Sequence, residues 1–179
     1  MRKKSLKKTK RIIDAIYKRL APPLSYARYL GVKTGKDCKL IGHPNWGSEP
    51  WLIEIGNHVE ISGLVNFITH DGSTWVFRRD ERYKGVVRYG RIKIGDNCFI
   101  GMGTTILPDV AIGNNCIIGA CSVVTKDVPE GSVYAGVPAR FICKVEDFAE
   151  KCLRENPTYD RNEYLRDKRG TVLSMLPEK

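Results

Sequence analysis

The 179-residue sequence lacks the marks of several large protein classes. No apolar run approaches the roughly 18 residues of a membrane span, and residues 1–20 hold no uninterrupted apolar core, so no secretory leader is expected. CxxC and CxxH pairs, the usual spacing of structural zinc ligands, are missing. Histidine is scarce, with three in all: His43, His58 and His70. The 17 glycines and 9 prolines are ordinary for this length, which excludes collagen-like and low-complexity chains. With 42% hydrophobic and 28% charged residues, the composition is that of a folding chain rather than a disordered one.

Unbalanced charge is confined to one end. Of a net +10, residues 1–20 hold nine bases against one acid, Asp14, and the rest of the chain is nearly balanced. A nucleic-acid-binding domain carries its basic stripe on the fold itself, so no nucleic-acid partner is expected. Ile12, Ile13, Ile16, Tyr17 and Leu20 fall on one helical stripe. Residues 1–31 therefore read as a basic amphipathic helical segment, stopped at Pro22-Pro23 and followed by a short helix through Leu24–Leu30. Such a helix either packs on its own protein or lies on an anionic bilayer. Without an export signal, the six cysteines read as free thiols of a reducing compartment.

A period of six residues fixes the architecture. From Ile94 the chain reads IGDNCF, IGMGTT, ILPDVA, IGNNCI, IGACSV, VTKDVP. The first place is aliphatic each time: Ile94, Ile100, Ile106, Ile112, Ile118 and Val124. The second is Gly in four of the six, and the fifth is small or β-branched throughout. A helix does not repeat every six residues and an alternating strand repeats every two. Six suits a short strand plus a turn, with the aliphatic inside a prism and the glycine easing the bend beside it. Three sides then close a coil of 18 residues, and coils stack at the ordinary strand spacing of roughly 4.8 Å. One coil cannot bury its own aliphatics, so stacking holds the structure together.

The same phase appears in Ile55–Phe67 and, more weakly, in Thr34–Leu40. It slips by three between Thr34 and Ile55, 21 residues apart, and again between Ile55 and Ile94, 39 apart. Two excursions are expected, one within Ile41–Pro50 and one over about residues 70–91. Loops that leave a rigid repeat are where function collects. Cys98 and Cys116 are one coil apart and near enough for a bridge by distance, but the favoured reading is buried thiols acting as small apolar filler. Beyond the repeat, Val145–Leu153 reads as a helix ending near Pro157, within a C-terminal helix and tail over 143–179.

The hexads, the histidine-bearing excursion and the segment VTKDVPEGSVYAGVPAR resemble the left-handed β-helix acyltransferases over about residues 32–142. Within these the chain is most similar to the galactoside/maltose acetyltransferases and the polysaccharide O-acetyltransferases. The resemblance implies an all-β domain, a left-handed parallel β-helix of hexapeptide repeats with α-helical flanks at both termini. The hand is an exception to the usual crossover rule and does not follow from the period. It implies a homotrimer with acetyl-CoA between subunits, no metal, and a saccharide acceptor in surface polysaccharide synthesis. The location implied is cytoplasmic, peripheral to the inner membrane if the basic segment binds lipid.

Residue by residue, the resemblance assigns the catalytic base to His70 in Thr69-His70-Asp71. A histidine titrates near neutrality and suits proton removal from an acceptor hydroxyl. The coenzyme contacts fall on Ala120, Thr125, Lys126 and Arg140, with Met102 standing where relatives carry Ser or Gly. Asp71 is a candidate to orient His70 or meet substrate; Trp75, Phe77 and Tyr83 are candidates to stack on a sugar, and Asn45 and Trp46 to join them. His58, at the fourth place of a hexad, reads as an exposed turn residue, and His43 as structural. Three other readings share the fold: an amino-sugar N-acetyltransferase, a non-catalytic scaffold, and a zinc enzyme of the carbonic-anhydrase kind, whose three histidines would have to converge.

Overall fold

The computed structural model describes residues 17 and 19–176, so most of the basic N-terminal stripe lies outside the described residues. The chain falls into two compact units, up to Val145 and from Glu146 onward. In the first unit a helix α1, Pro23–Leu30, opens with proline and ends at Gly31 in the left-handed conformation, φ 103°. Pro23 suits the first helical turn because its missing N–H would be unpaired there in any case.

Among the described residues thirteen short strands follow: β1 Lys33–Thr34, β2 Lys39–Leu40, β3 Ile53–Ile55, β4 Glu60–Ile61, β5 Asn66–Phe67, β6 Ile92–Ile94, β7 Phe99–Ile100, β8 Thr105–Ile106, β9 Val110–Ile112, β10 Ile117–Ile118, β11 Val123–Val124, β12 Ser132–Ala135 and β13 Arg140–Lys144. Through β11 they are dealt in rotation to three parallel sheets. The first face is β1-β3-β6-β9, the second runs β2-β4-β7-β10, and the third is β5-β8-β11. A chain that visits three parallel faces in turn is a three-sided parallel β-helix. The second face is extended by β12 and by β13, which returns antiparallel.

The register reproduces the sequence period. Ile94 pairs with Ile112, Ile100 with Ile118, and Ile106 with Val124, each 18 residues on. The two slips are also in register: Thr34 meets Ile55, and Ile55 meets Ile94. All six first-place aliphatics from Ile94 to Val124 are buried, and so are the fifth-place residues Cys98, Thr104, Val110, Cys116, Ser122 and Val128. The interior is thus two columns of side chains per face, and burying each large aliphatic contributes about 1.5–3 kcal/mol.

The bend falls elsewhere than expected. Left-handed φ values occur at the fourth place, as in His58, Asn97, Asp109 and Asn115, and not at the second-place glycine. The glycine serves close stacking instead: a Cβ on Gly101 would lie 2.5 Å from the Ala120 backbone nitrogen of the next coil. The first excursion also begins later than expected. Trp46 continues the hexad series of Thr34 and Leu40, is buried, and stacks on Phe67 with ring centroids 4.8 Å apart. The extra residues therefore lie between Trp46 and Ile53, ending in a 3-10 turn at Pro50–Leu52. Cys98 and Cys116 are free buried thiols whose Sγ atoms donate to Gly113 and Pro129 carbonyls. The mutual hydrogen bond with Cys116, and then burial, push the Cys98 thiol up.

The second unit holds all but the first residue of α2 (Val145–Glu155), then α3 (Arg161–Arg166) and α4 (Lys168–Met175). The last two helices lie in the segment the sequence marks as tail. Their start signals are Asp160 and Asp167, whose carboxylates accept from the backbone N–H of Glu163 and Gly170. Among the described residues no helix is long and apolar enough to cross a membrane.

Candidate active site

The second excursion leaves the third face after Phe67 and returns at β6. It runs through 3-10 turns at Gly72–Phe77 and Glu81–Tyr83. On its way back Tyr89 pairs antiparallel with His70. Two hydrogen bonds pin this short ladder: Asp71 N–H to Arg88 C=O and Gly90 N–H to Thr69 C=O, each 2.9 Å. The backbone on both sides of His70 is therefore fixed, although the residue sits at the root of a long loop.

The imidazole is held from the first excursion. His70 Nδ1 lies 3.0 Å from Glu49 Oε2, and the buried Thr69 hydroxyl donates to the same oxygen at 2.7 Å. Burial acts to raise the Glu49 carboxyl. The hydrogen bonds from Thr69 and His70, with the His70 charge, outweigh it and hold the group below its ordinary 4.5. An ionised carboxylate only accepts, so Nδ1 carries the proton and Nε2 is left as the basic nitrogen. The Glu49 side chain is 16% exposed while that of His70 is 43% exposed, so the pair is anchored inside and open outward.

That opening is a cavity of about 510 Å³, walled by Ile68, Asp71, Arg88, Tyr89, Leu107, Asp109 and Thr125 as well as His70. It lies within the roughly 300–1,000 Å³ typical of small-molecule sites. His58 lines a different hollow, of about 410 Å³ on the second face. Its Nδ1 is tied at 2.7 Å to the Asn97 side-chain oxygen, an amide that supplies no charge. His43 stands against Tyr26, ring centroids 5.5 Å apart. Among the described residues no three His, Cys, Asp or Glu side chains are placed to hold a metal ion together.

Of the residues singled out from sequence, His70, Asp71 and Thr125 share one cavity. Asp71 does not hold the imidazole: one carboxylate oxygen accepts from Ser73 N–H at 2.9 Å and the other faces Arg88 at 3.4 Å. The Ser73 hydrogen bonds, with smaller help from Arg88 and His70, keep its carboxyl low. Trp75 is exposed on the 3-10 turn, and Tyr83 packs against Phe77 and beneath Arg82. Asn45 bonds to Asn66 across the coils, and Trp46 is core. Met102 and Ala120 lie one above the other where the chain enters the third face, linked by Cys121 N–H to the Met102 carbonyl. Thr125 and Lys126 lie where it leaves that face. Arg140 opens β13, opposite Ala135.

Sequence reading missed Glu49, Arg88 and Tyr89. Glu49 was legible in principle, because its separation of 21 from His70 equals the first slipped coil, the offset that also pairs Asn45 with Asn66.

Comparison with known proteins agrees with the repeat fold. The family model for bacterial transferase hexapeptide (six repeats) matches residues 91–126. Protein CapG of Staphylococcus aureus is 44% identical over 153 residues, covering 84% of this chain and 87% of CapG. The chain belongs to the bacterial hexapeptide-repeat transferases. A maltose O-acetyltransferase from Clostridium difficile 630 is 29% identical, with a TM-score of 0.53 over 67% of this chain and 73% of that one. A hexapeptide-repeat acetyltransferase from Vibrio cholerae, 20% identical, shares the fold at a TM-score of 0.58 over 81% and 93%. This hexapeptide transferase is an acyltransferase, and a histidine poised by a carboxylate over an open cavity is suited to that chemistry.

Proposed function

We propose that the protein is an acetyl-CoA-dependent O-acetyltransferase acting on a saccharide hydroxyl in surface polysaccharide synthesis. The observation that carries this reading is the His70–Glu49 pair opening on the cavity that Thr125 also lines. His70 Nε2 takes the proton of the acceptor hydroxyl as its oxygen adds to the thioester carbonyl. Backbone N–H donors stabilise the tetrahedral oxyanion. The carbon–sulfur bond then breaks, and the imidazolium returns its proton to the departing thiolate. Glu49 is a positioning residue that keeps the proton on Nδ1 throughout.

In this reading the β-helix is left-handed and spans about residues 32–142, between the N-terminal segment and the C-terminal helices. Coenzyme contacts come from Met102, Ala120, Thr125, Lys126 and Arg140. Within one chain these flank opposite edges of the third face, with Met102 and Ala120 on the entry side and Thr125 beside His70 on the exit side. A groove between neighbouring copies reunites them, which supports a homotrimer with shared sites. The basic residues 1–20 would keep a cytoplasmic enzyme near an anionic inner membrane.

The test combines purified protein, acetyl-CoA and pooled saccharides, with thiol release and a one-acetyl mass increase as readouts. His70→Ala is expected to lower turnover by about 10²–10⁴-fold while acetyl-CoA affinity stays within twofold or so. Unchanged turnover removes His70 as the base, and absence of acetyl-CoA binding favours a scaffold.

A further inference from the structure

We infer that the α1 end of the β-helix is a membrane-docking face, which seats the protein on an anionic lipid bilayer through Tyr17, Leu20, Tyr29 and Trp51 among basic side chains. Residues 1–20 alone would be a tether; a docking face adds an orientation and a height of His70 above the lipid. The inference rests on the acyl-transfer reading only for what His70 does there, and the contact itself stands on charge and exposure.

The excess charge of the protein lies wholly at this end. Residues 1–48, which supply α1 and the first coil, hold thirteen bases and two acids. Residues 49–179 hold seventeen bases and eighteen acids, so the rest of the molecule has no net attraction to an anionic surface. Among the described residues of this end Asp37 is the one acid, while Arg19, Lys33 and Lys36 are exposed. Charge of one sign gathered at one end orients a molecule as it approaches a charged plane. Anionic lipid is such a plane, and it draws basic side chains that come within a Debye length, roughly 10 Å.

The same end offers apolar anchors. α1 packs across the open end of the first coil, against β1, β2 and the 3-10 turn at Pro50–Leu52. Tyr26 and Ala27 form its buried side. On the outer side Tyr17 and Tyr29 set their ring centroids 4.8 Å apart. Leu20 stands one helical turn on from Tyr17 and is 77% exposed. Trp51 lies against the C-terminus of α1, where a Cβ on Gly31 would be 3.4 Å from the Trp51 Cβ, and it is 59% exposed. Tyr and Trp have apolar bodies and polar tips, and they settle at the lipid–water boundary. Exposed aromatics set among bases are what an interfacial surface requires.

The fold links this contact to the candidate active site. Asn45 of the first coil pairs with Asn66 of the second, and His70 follows Asn66 by four residues. The imidazole therefore stands one coil below the end coil. With coils about 4.8 Å apart and a helix about 10 Å across, it lies roughly 15–20 Å from the outer side of α1. Docked on this end, the protein holds His70 at a height that a saccharide carried on a lipid can reach.

The experiment sediments the full chain with phosphatidylcholine vesicles, with and without phosphatidylglycerol. Binding is expected only with the anionic lipid, and high salt should release it. Leu20→Glu and Trp51→Glu, made singly and with thermal melts matching wild type, should each weaken vesicle binding about tenfold. Val76→Glu, on the second excursion at 75% exposed, should leave it unchanged. Brominated phosphatidylcholine in the anionic vesicles should quench Trp75→Phe, which keeps Trp51, more than Trp51→Phe, which keeps Trp75. The inference falls if either glutamate variant binds like wild type, if binding ignores phosphatidylglycerol, or if the quenching order is equal or reversed. It also falls if duplex DNA at equal phosphate displaces the protein from the vesicles, which would make nucleic acid the partner. Binding that survives both glutamates and is lost on deleting residues 2–11 would leave the contact to the basic segment alone. Normal turnover in His70→Ala, with vesicle binding unchanged, would remove the proposed base and leave the docking face standing.

Discussion

Glu49 carries more of the site than its place in a short loop suggests. One of its oxygens receives both the Thr69 hydroxyl and His70 Nδ1, so the threonine before the histidine has a physical role: it fixes the carboxylate that fixes the ring. Glu49→Gln keeps the shape but offers an uncharged oxygen, or turns an amide toward the imidazole. The expected result is a kcat lower by about a hundredfold with the acetyl-CoA KM little changed, read by steady-state kinetics. The same residue makes a stability prediction. A carboxyl held below 4.5 in the folded state contributes stability that is present above its unfolded value and is lost as pH falls through the folded value. Thermal melts from neutral pH down to pH of about 3 should therefore show wild type above Glu49→Gln near neutrality, with the gap closing in acid. A constant gap would mean that the ionised carboxylate is not what stabilises.

Each hexad divides its work among its places. First and fifth places fill the interior, the fourth turns the corner, and the second lets coils approach. Asn recurs at the turning place because its short polar side chain tolerates the left-handed conformation, and it adds a ladder: Asn97 Nδ2 donates to Asn115 Oδ1 at 2.8 Å, one coil on. Gly101→Ala tests the second place. Its Cβ would meet backbone, which cannot rotate away, so the coils must part locally. A loss of about 1–3 kcal/mol in denaturant unfolding is expected. An unchanged midpoint would show that stacking is looser than the register implies.

For the whole molecule, the proposed coenzyme contacts lead to the expectation that one chain does not complete the site. The residues aligned with coenzyme contacts bracket the third face rather than meeting across it. Sedimentation or light scattering is expected to give three copies. Co-expression of two inactive variants, His70→Ala and Ala120→Trp, is expected to recover part of the activity, because mixed assemblies contain some grooves with both residues intact. A monomer, or failure to recover any turnover, would contradict shared sites.

By itself the sequence determined the β-helix, its faces and its register, because a six-residue aliphatic period can be buried by one kind of winding and the slips of three announce themselves in the count. It also set the histidine at the root of the longer excursion. Tertiary structure decided what stands beside that histidine. Glu49 comes from another coil, and Tyr89 arrives by a return strand whose path no period encodes. Trp46 looked like a loop aromatic until the register showed it inside. Local pattern governs which side chains point inward; only the folded stack governs which distant groups share a cavity.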